Sequence, residues 1–66
     1  MQVYVVELGE DCEGSQILGI YSTVEKARAA AIKQMQTYHK GEWEARGNDY
    51  WHAGCDYLSI VVWTVQ

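Results

Sequence analysis

Apolar residues run in near-continuous blocks at both ends of the chain and recur every third or fourth residue between them. That pattern predicts strands flanking one helix. Val3-Tyr4-Val5-Val6-Glu7-Leu8 is rich in branched and aromatic residues and reads as a strand with Val3 and Val5 on one side and Tyr4, Val6 and Leu8 on the other. Both sides are apolar, which suits a central strand. Gln16-Ile17-Leu18-Gly19-Ile20-Tyr21 predicts a second strand, joined to the first as an antiparallel hairpin through a long solvated loop, Gly9 to Ser15. Gly19 within it marks a bulge or a close approach of the helix backbone. Tyr57 to Val65 predicts a last strand, with Leu58, Ile60 and Val62 on one side and Tyr57, Val61, Trp63 and Val65 on the other.

Between these blocks Val24, Ala27, Ala31, Met35 and Tyr38 fall on one helical face. Ser22 followed by Glu25 has the spacing of a capping box, and Gly41 supplies a stop. The expected helix runs over about 23–40. Lys26, Lys33 and Lys40 are spaced by seven and line up opposite the apolar stripe, with Lys40 suited to the negative end of the helix dipole.

Glu42 to Asp56 mixes Trp43, Tyr50 and Trp51 with Gly47-Asn48-Asp49 and Gly54. Two readings stand: a short extra hairpin within 42–53, or an irregular loop pinned by tryptophans. The fold class is therefore α+β: a small antiparallel or mixed sheet, β-β-α-β in spatial order 2-1-3, with one helix packed on one face of a single domain spanning 1–66. The helix covers one face only. The other, apolar as well, is left to the Trp43–Trp51 segment or to a second copy of the chain, and a homodimer is expected, sheet face to sheet face or through an edge strand, with Tyr4, Val6 and Trp63 as its interface residues.

Composition sharpens this picture. Sixty-six residues make a core near the lower size limit, and 48% apolar residues with no proline argue against disorder. No signal-like start or membrane-length apolar run is present, so the expected location is the cytoplasm. The net charge is −4, but the helix, with Lys26, Arg28, Lys33 and Lys40 against Glu25, is positive. The acids gather elsewhere, in Glu10, Asp11 and Glu13 and again in Glu42, Glu44, Asp49 and Asp56. Such a chain suits a basic protein surface better than nucleic acid.

Candidate chemistry is sparse. Cys12, His39, His52 and Cys55 are the soft ligands, and His52-x-x-Cys55 has a spacing that zinc accepts, but one close pair is half of what a structural zinc site usually offers. The same residues otherwise read as polar surface and a small buried thiol. A Cys12–Cys55 disulfide is arithmetically available and disfavoured by a reducing compartment. Catalysis through Cys55 and His52 needs a pocket that a chain of this length has little volume to build, so the expectation is no enzyme and no cofactor. The lysine stripe with Trp43, Tyr50 and Trp51 suggests a nucleic-acid or nucleotide binding module, against the ordinary reading of a solvated helix face and core tryptophans. Three Trp and five Tyr with no Phe is a composition common at protein interfaces. Glu10, Asp11, Glu13, Asp49, Tyr50, Trp51 and His52 are accordingly the candidate protein-binding residues.

Val3-Tyr4-Val5-Val6-Glu7, the passage from Gly19 through Ser22-Thr23-x-Glu25-Lys26-Ala27, and Ile60 to Gln66 resemble a group of short uncharacterised proteins of bacteriophages and their hosts. The resemblance covers the two ends and the helix start, not Glu42 to Asp56, and its motifs are structural. It implies a phage or mobile-element origin, and by analogy an inhibitor that binds a host defence protein, such as a component of a CRISPR complex. No functional residue is carried over with it. The leading expectation is such an inhibitor, with the nucleic-acid binder and the zinc module as alternatives.

Overall fold

A computed structural model of the protein describes residues 1–10, 13–40 and 42–65. Its elements are β1 (Gln2–Glu10), β2 (Gly14–Tyr21), α1 (Val24–Thr37), β3 (Glu44–Gly47), β4 (Tyr50–Ala53) and β5 (Asp56–Thr64). The strands form a five-stranded sheet in the order β2-β1-β5-β4-β3, and every neighbouring pair is antiparallel. The class is α+β, as expected, but the order is longer than 2-1-3. The uncertain 42–53 segment folds as the hairpin β3–β4 and pairs onto the free edge of β5. It extends the sheet instead of covering its second face.

The side chains that face the helix come from alternate positions of β1 and β5. Register places Tyr4 beside Val62, Val6 beside Ile60 and Leu8 beside Leu58. Val6 and Leu58, at 1% and 0% exposure, form the centre of the core with Ala27 and Ala31 of α1. Small alanines at these two positions let the helix backbone approach the sheet, so the larger strand side chains fill the space between the layers. Tyr4, Leu18, Tyr21, Met35, Trp43 and Trp51 close the rim.

The helix starts one residue later than the Ser22 capping box predicts. Thr23, in extended conformation, is the N-cap, and its Oγ1 accepts from the Lys26 amide at 3.2 Å. Glu25 therefore sits in the first turn, where its charge meets the positive end of the dipole without reaching back to a cap. The helix also ends earlier, at Thr37: Tyr38 is already extended, and His39 and Lys40 take left-handed φ of 56° and 24°. Lys40 has thus left the helix, and the last turn holds no basic residue. Gly41, the expected stop, lies outside the described residues.

The loop between β1 and β2 is shorter than expected, since the strands run to Glu10 and from Gly14. Gly14, at φ +88°, makes the return in a conformation that favours glycine. The bulge near Gly19 is present, as a register shift between Val6 and Glu7. The close approach there is by the Tyr21 ring, not by the helix: a Cβ on Gly19 would lie 2.6 Å from the Tyr21 hydroxyl oxygen.

The face turned away from the helix is laid out in four rows across the strands. Val3 and Trp63 form the first; Ile20, Val5 and Val61 the second; Ile17, Glu7, Ser59 and Tyr50 the third; Ser15, Gly9, Tyr57, His52 and Glu44 the last. No described element covers it. The expected dimer contact set of Tyr4, Val6 and Trp63 is corrected by this layout. Tyr4 and Val6 pack on the helix side, with Val6 inaccessible to any partner, while Trp63 stands on the opposite face.

Candidate functional site

Two surfaces stand out on opposite faces of the sheet. The first is a cleft of 470 Å³ on the helix side, where Leu8, Glu10, Glu13, Gln16, Tyr38 and Asp56 are among the lining residues. Its floor is the end of β1, its far wall the turn into β2, and its near wall the residue that ends α1. Glu13 is fixed there by its amide, which donates to the Glu10 carbonyl at 3.2 Å. Register sets Glu10 directly opposite Asp56, so two carboxylates share one strand pair. Like charges placed this way are unfavourable to the isolated sheet and attract a cation.

Asp56 is relieved by a neighbour. His39 Nε2 lies 2.5 Å from Asp56 Oδ2, and the His39 ring meets Trp43 edge-on with centroids 5.5 Å apart. Trp43 Nε1 donates to the Tyr38 carbonyl at 2.7 Å, satisfying a group at the helix end. These contacts tie the end of α1 to the β4–β5 turn and hold the cleft wall in place. Glu10 and Glu13 are both exposed and line the cleft.

The second surface is the open sheet face. Its residues include Ile17, Ile20 and Trp63 at 50%, 58% and 47% exposure, with Val5 and Ser59 buried between them. Tyr57 stacks on Tyr50 with ring planes 3° apart and centroids 5.9 Å apart. The Tyr57 ring lies across Gly9, where a Cβ would come within 2.3 Å of it.

Most of the sequence-predicted residues are placed by this geometry, and they do not form one surface. Glu10 and Glu13 line the cleft, while Asp11 lies outside the described residues. The Asp49-Tyr50-Trp51-His52 group is divided by strand alternation. Tyr50 and His52 stand on the open face, whereas Trp51 packs against the core on the helix side. Asp49 occupies the β3–β4 turn at φ 56° and is engaged by Arg28, with Nε to Oδ1 at 2.8 Å and Nη2 to Oδ2 at 3.2 Å. The hydrogen bond to Asp49, and then its charge, hold the guanidinium above its usual range.

Lys26 and Lys33 are exposed on α1, and Lys40 belongs to the turn beyond it. Of the soft ligands, His39 lies on the helix side and His52 on the open face; Cys55 is exposed with a free thiol, and Cys12 falls outside the described residues. Among the described residues no group of three or more His, Cys, Asp or Glu side chains is arranged to hold a metal ion. Among them too, no helix is long and apolar enough to cross a membrane.

Sequence reasoning missed Tyr38 and Asp56 as members of the cleft, and Tyr57 as an element of the open face. The first two meet Glu10 through strand register, which no local spacing encodes. Tyr57 left one signal: an aromatic ring across from a strand glycine is a recurring pair, and Gly9 was available to it.

Comparison with known proteins adds one family. The family described as "Domain of unknown function (DUF7336)" matches residues 1–53, and the chain belongs to it. The match runs from β1 to the last residue of β4 and leaves β5 outside. No curated protein and no solved structure matches the chain.

Proposed function

We propose that this member of the family is a non-catalytic binding protein that captures a basic protein surface in the acidic cleft, and that it is phage-encoded and blocks a nucleic-acid-handling component of host antiviral defence. The observation that carries the first part is the convergence of Glu10 and Glu13 beside Asp56 and the Tyr38 side chain around a cleft of 470 Å³. An arginine or lysine entering it meets two unengaged carboxylates and an aromatic wall, which together favour a cation over a neutral group. A channel built to hold phosphate presents such cations in rows. The phage origin and the defence target rest on the resemblance of the two chain ends and the helix start.

The test is affinity capture from a nuclease-treated bacterial host lysate, with three tagged forms compared. The wild type is expected to retain one basic protein stoichiometrically. Glu10→Lys combined with Glu13→Lys is expected to lose it, and Lys26→Glu combined with Lys33→Glu to keep it. A partner that survives reversal of the acids, or nucleic acid recovered from untreated lysate and lost on reversal of the lysines, overturns the reading in favour of a nucleic-acid binding helix face.

A further inference from the structure

The open sheet face has the composition of an interior and the exposure of a surface. Ile17, Ile20 and Trp63 are each about half exposed around the buried Val5. The molecule as a whole carries the mark of a missing layer. Its accessible surface of 4553 Å² exceeds the roughly 4,250 Å² expected of a monomer of this mass. Its radius of gyration of 11.5 Å exceeds the roughly 10.8 Å expected of a compact chain of this length.

We propose that this face is the interface of a homodimer, in which two copies pack open face to open face about a two-fold axis running along the strands between β1 and β5. Area and self-complementarity favour a second copy as the occupant. With strands about 4.8 Å apart and about 3.3 Å per residue, the face presents on the order of 500 Å² per copy. A pair buries on the order of 1,000 Å², which reaches the lower bound for a specific interface.

The axis along the strands sets each row against the same row of the partner and exchanges β1 with β5. Val3 then meets the partner's Trp63. Glu7, the acidic side chain of the third row, meets the hydroxyl of the partner's Ser59 and not its own copy. A donor thus faces the carboxylate at the boundary between the apolar and tyrosine-rich halves. The acidic residues Glu10 and Glu13 and the exposed Lys26 and Lys33 belong to the helix side and stay outside the interface, which leaves Glu7 and Glu44 as the acidic side chains of the paired face. The twist of each sheet gives the pair the aligned packing of a β-sandwich, with α1 on each outer face.

This surface is separate from the acidic cleft, so its test does not depend on the proposed function. Sedimentation equilibrium of the wild-type chain over a wide concentration series is expected to give twice the 7.5 kDa chain mass. Ile20→Lys and Trp63→Lys should each raise the dissociation constant at least about tenfold with an unchanged far-ultraviolet circular dichroism spectrum, because a lysine is driven into an apolar contact. Ile32→Lys, on the exposed side of α1, should leave the dimer intact. Isotope-filtered NOE spectra of mixed labelled and unlabelled wild type, which need no variant to fold, should show intermolecular contacts between the Val3 methyls and the Trp63 ring. A wild type that stays monomeric throughout, a dimer indifferent to both lysines, dissociation by Ile32→Lys, or no Val3–Trp63 intermolecular contact overturns the proposal.

Discussion

The two faces of this sheet are made by the same strands and finished differently. On the helix side Val6 and Leu58 are sealed beneath Ala27 and Ala31. On the other, Val5 and Ser59 are buried as well, but Ile17, Ile20 and Trp63 around them are about half exposed. Strand alternation makes both faces apolar when β1 and β5 carry apolar residues at most of their positions. A single helix answers half of that demand. Among the described residues nothing supplies the second layer, and the proposed homodimer would bind the fold of a small chain to its association.

Leu58→Ala probes the closed face and has the largest expected effect. It removes the most voluminous of the fully buried side chains and should destabilise the protein by about 3 kcal/mol. Against a total of roughly 3–10 kcal/mol for a domain of this length, that is enough to populate the unfolded state. Val61→Ala is the matching change on the open face and should be worth less than about 1 kcal/mol in dilute solution, where that face is wet. Urea unfolding of both variants at two protein concentrations measures the contrast. Equal losses at low concentration would show that the open face is not solvated as described.

The closed face depends in turn on where its helix begins. Thr23→Ala should cost about 1 kcal/mol, because the Lys26 amide loses its acceptor. Ser22→Ala should change stability by no more than about 0.5 kcal/mol, since Ser22 precedes the cap. Thermal unfolding of the two variants distinguishes the observed start from the capping box. A larger loss for Ser22→Ala would move the start back by one residue.

What was legible in the sequence followed the range of the physics involved. The alternation in Val3–Leu8 and the three- and four-residue spacing of Val24, Ala27, Ala31 and Met35 are local, and both elements form where those patterns lie. The cap is less certain by nature, because Ser22 and Thr23 both carry a suitable oxygen and the choice between them is made by backbone direction. The β3–β4 strands are four residues each, too short for periodicity to speak, and only the turn chemistry of Gly47-Asn48-Asp49 announced them. Which face of β1 the helix takes is a property of the assembled sheet, so Tyr4 and Val6 were grouped with Trp63 across two opposite surfaces. The cleft was half visible: Glu10 and Glu13 are neighbours in the chain, but Asp56 reaches them through a strand pair and Tyr38 through the end of the helix.

The finest test of the open face is Gly9→Ala. Gly9 faces the same side as Tyr57, its register partner on β5, and the Tyr57 ring occupies the space that a side chain at position 9 would need. An alanine Cβ would fall 2.3–2.5 Å from three atoms at the far end of that ring, so the ring must swing away. Moving it separates Tyr57 from Tyr50, a stacked pair worth roughly 0.5–1.5 kcal/mol. Part of that loss is offset by the stiffer unfolded chain of an alanine variant, so the net change should be at or below about 1 kcal/mol. The near-ultraviolet circular dichroism of the tyrosines should fall while the far-ultraviolet spectrum stays the same. Because Tyr50 and Tyr57 form the tyrosine-rich half of the face, the same variant should weaken self-association. An unchanged tyrosine signal would mean that the ring does not rest on Gly9, and the open face would then lack the flat aromatic floor on which its pairing is argued.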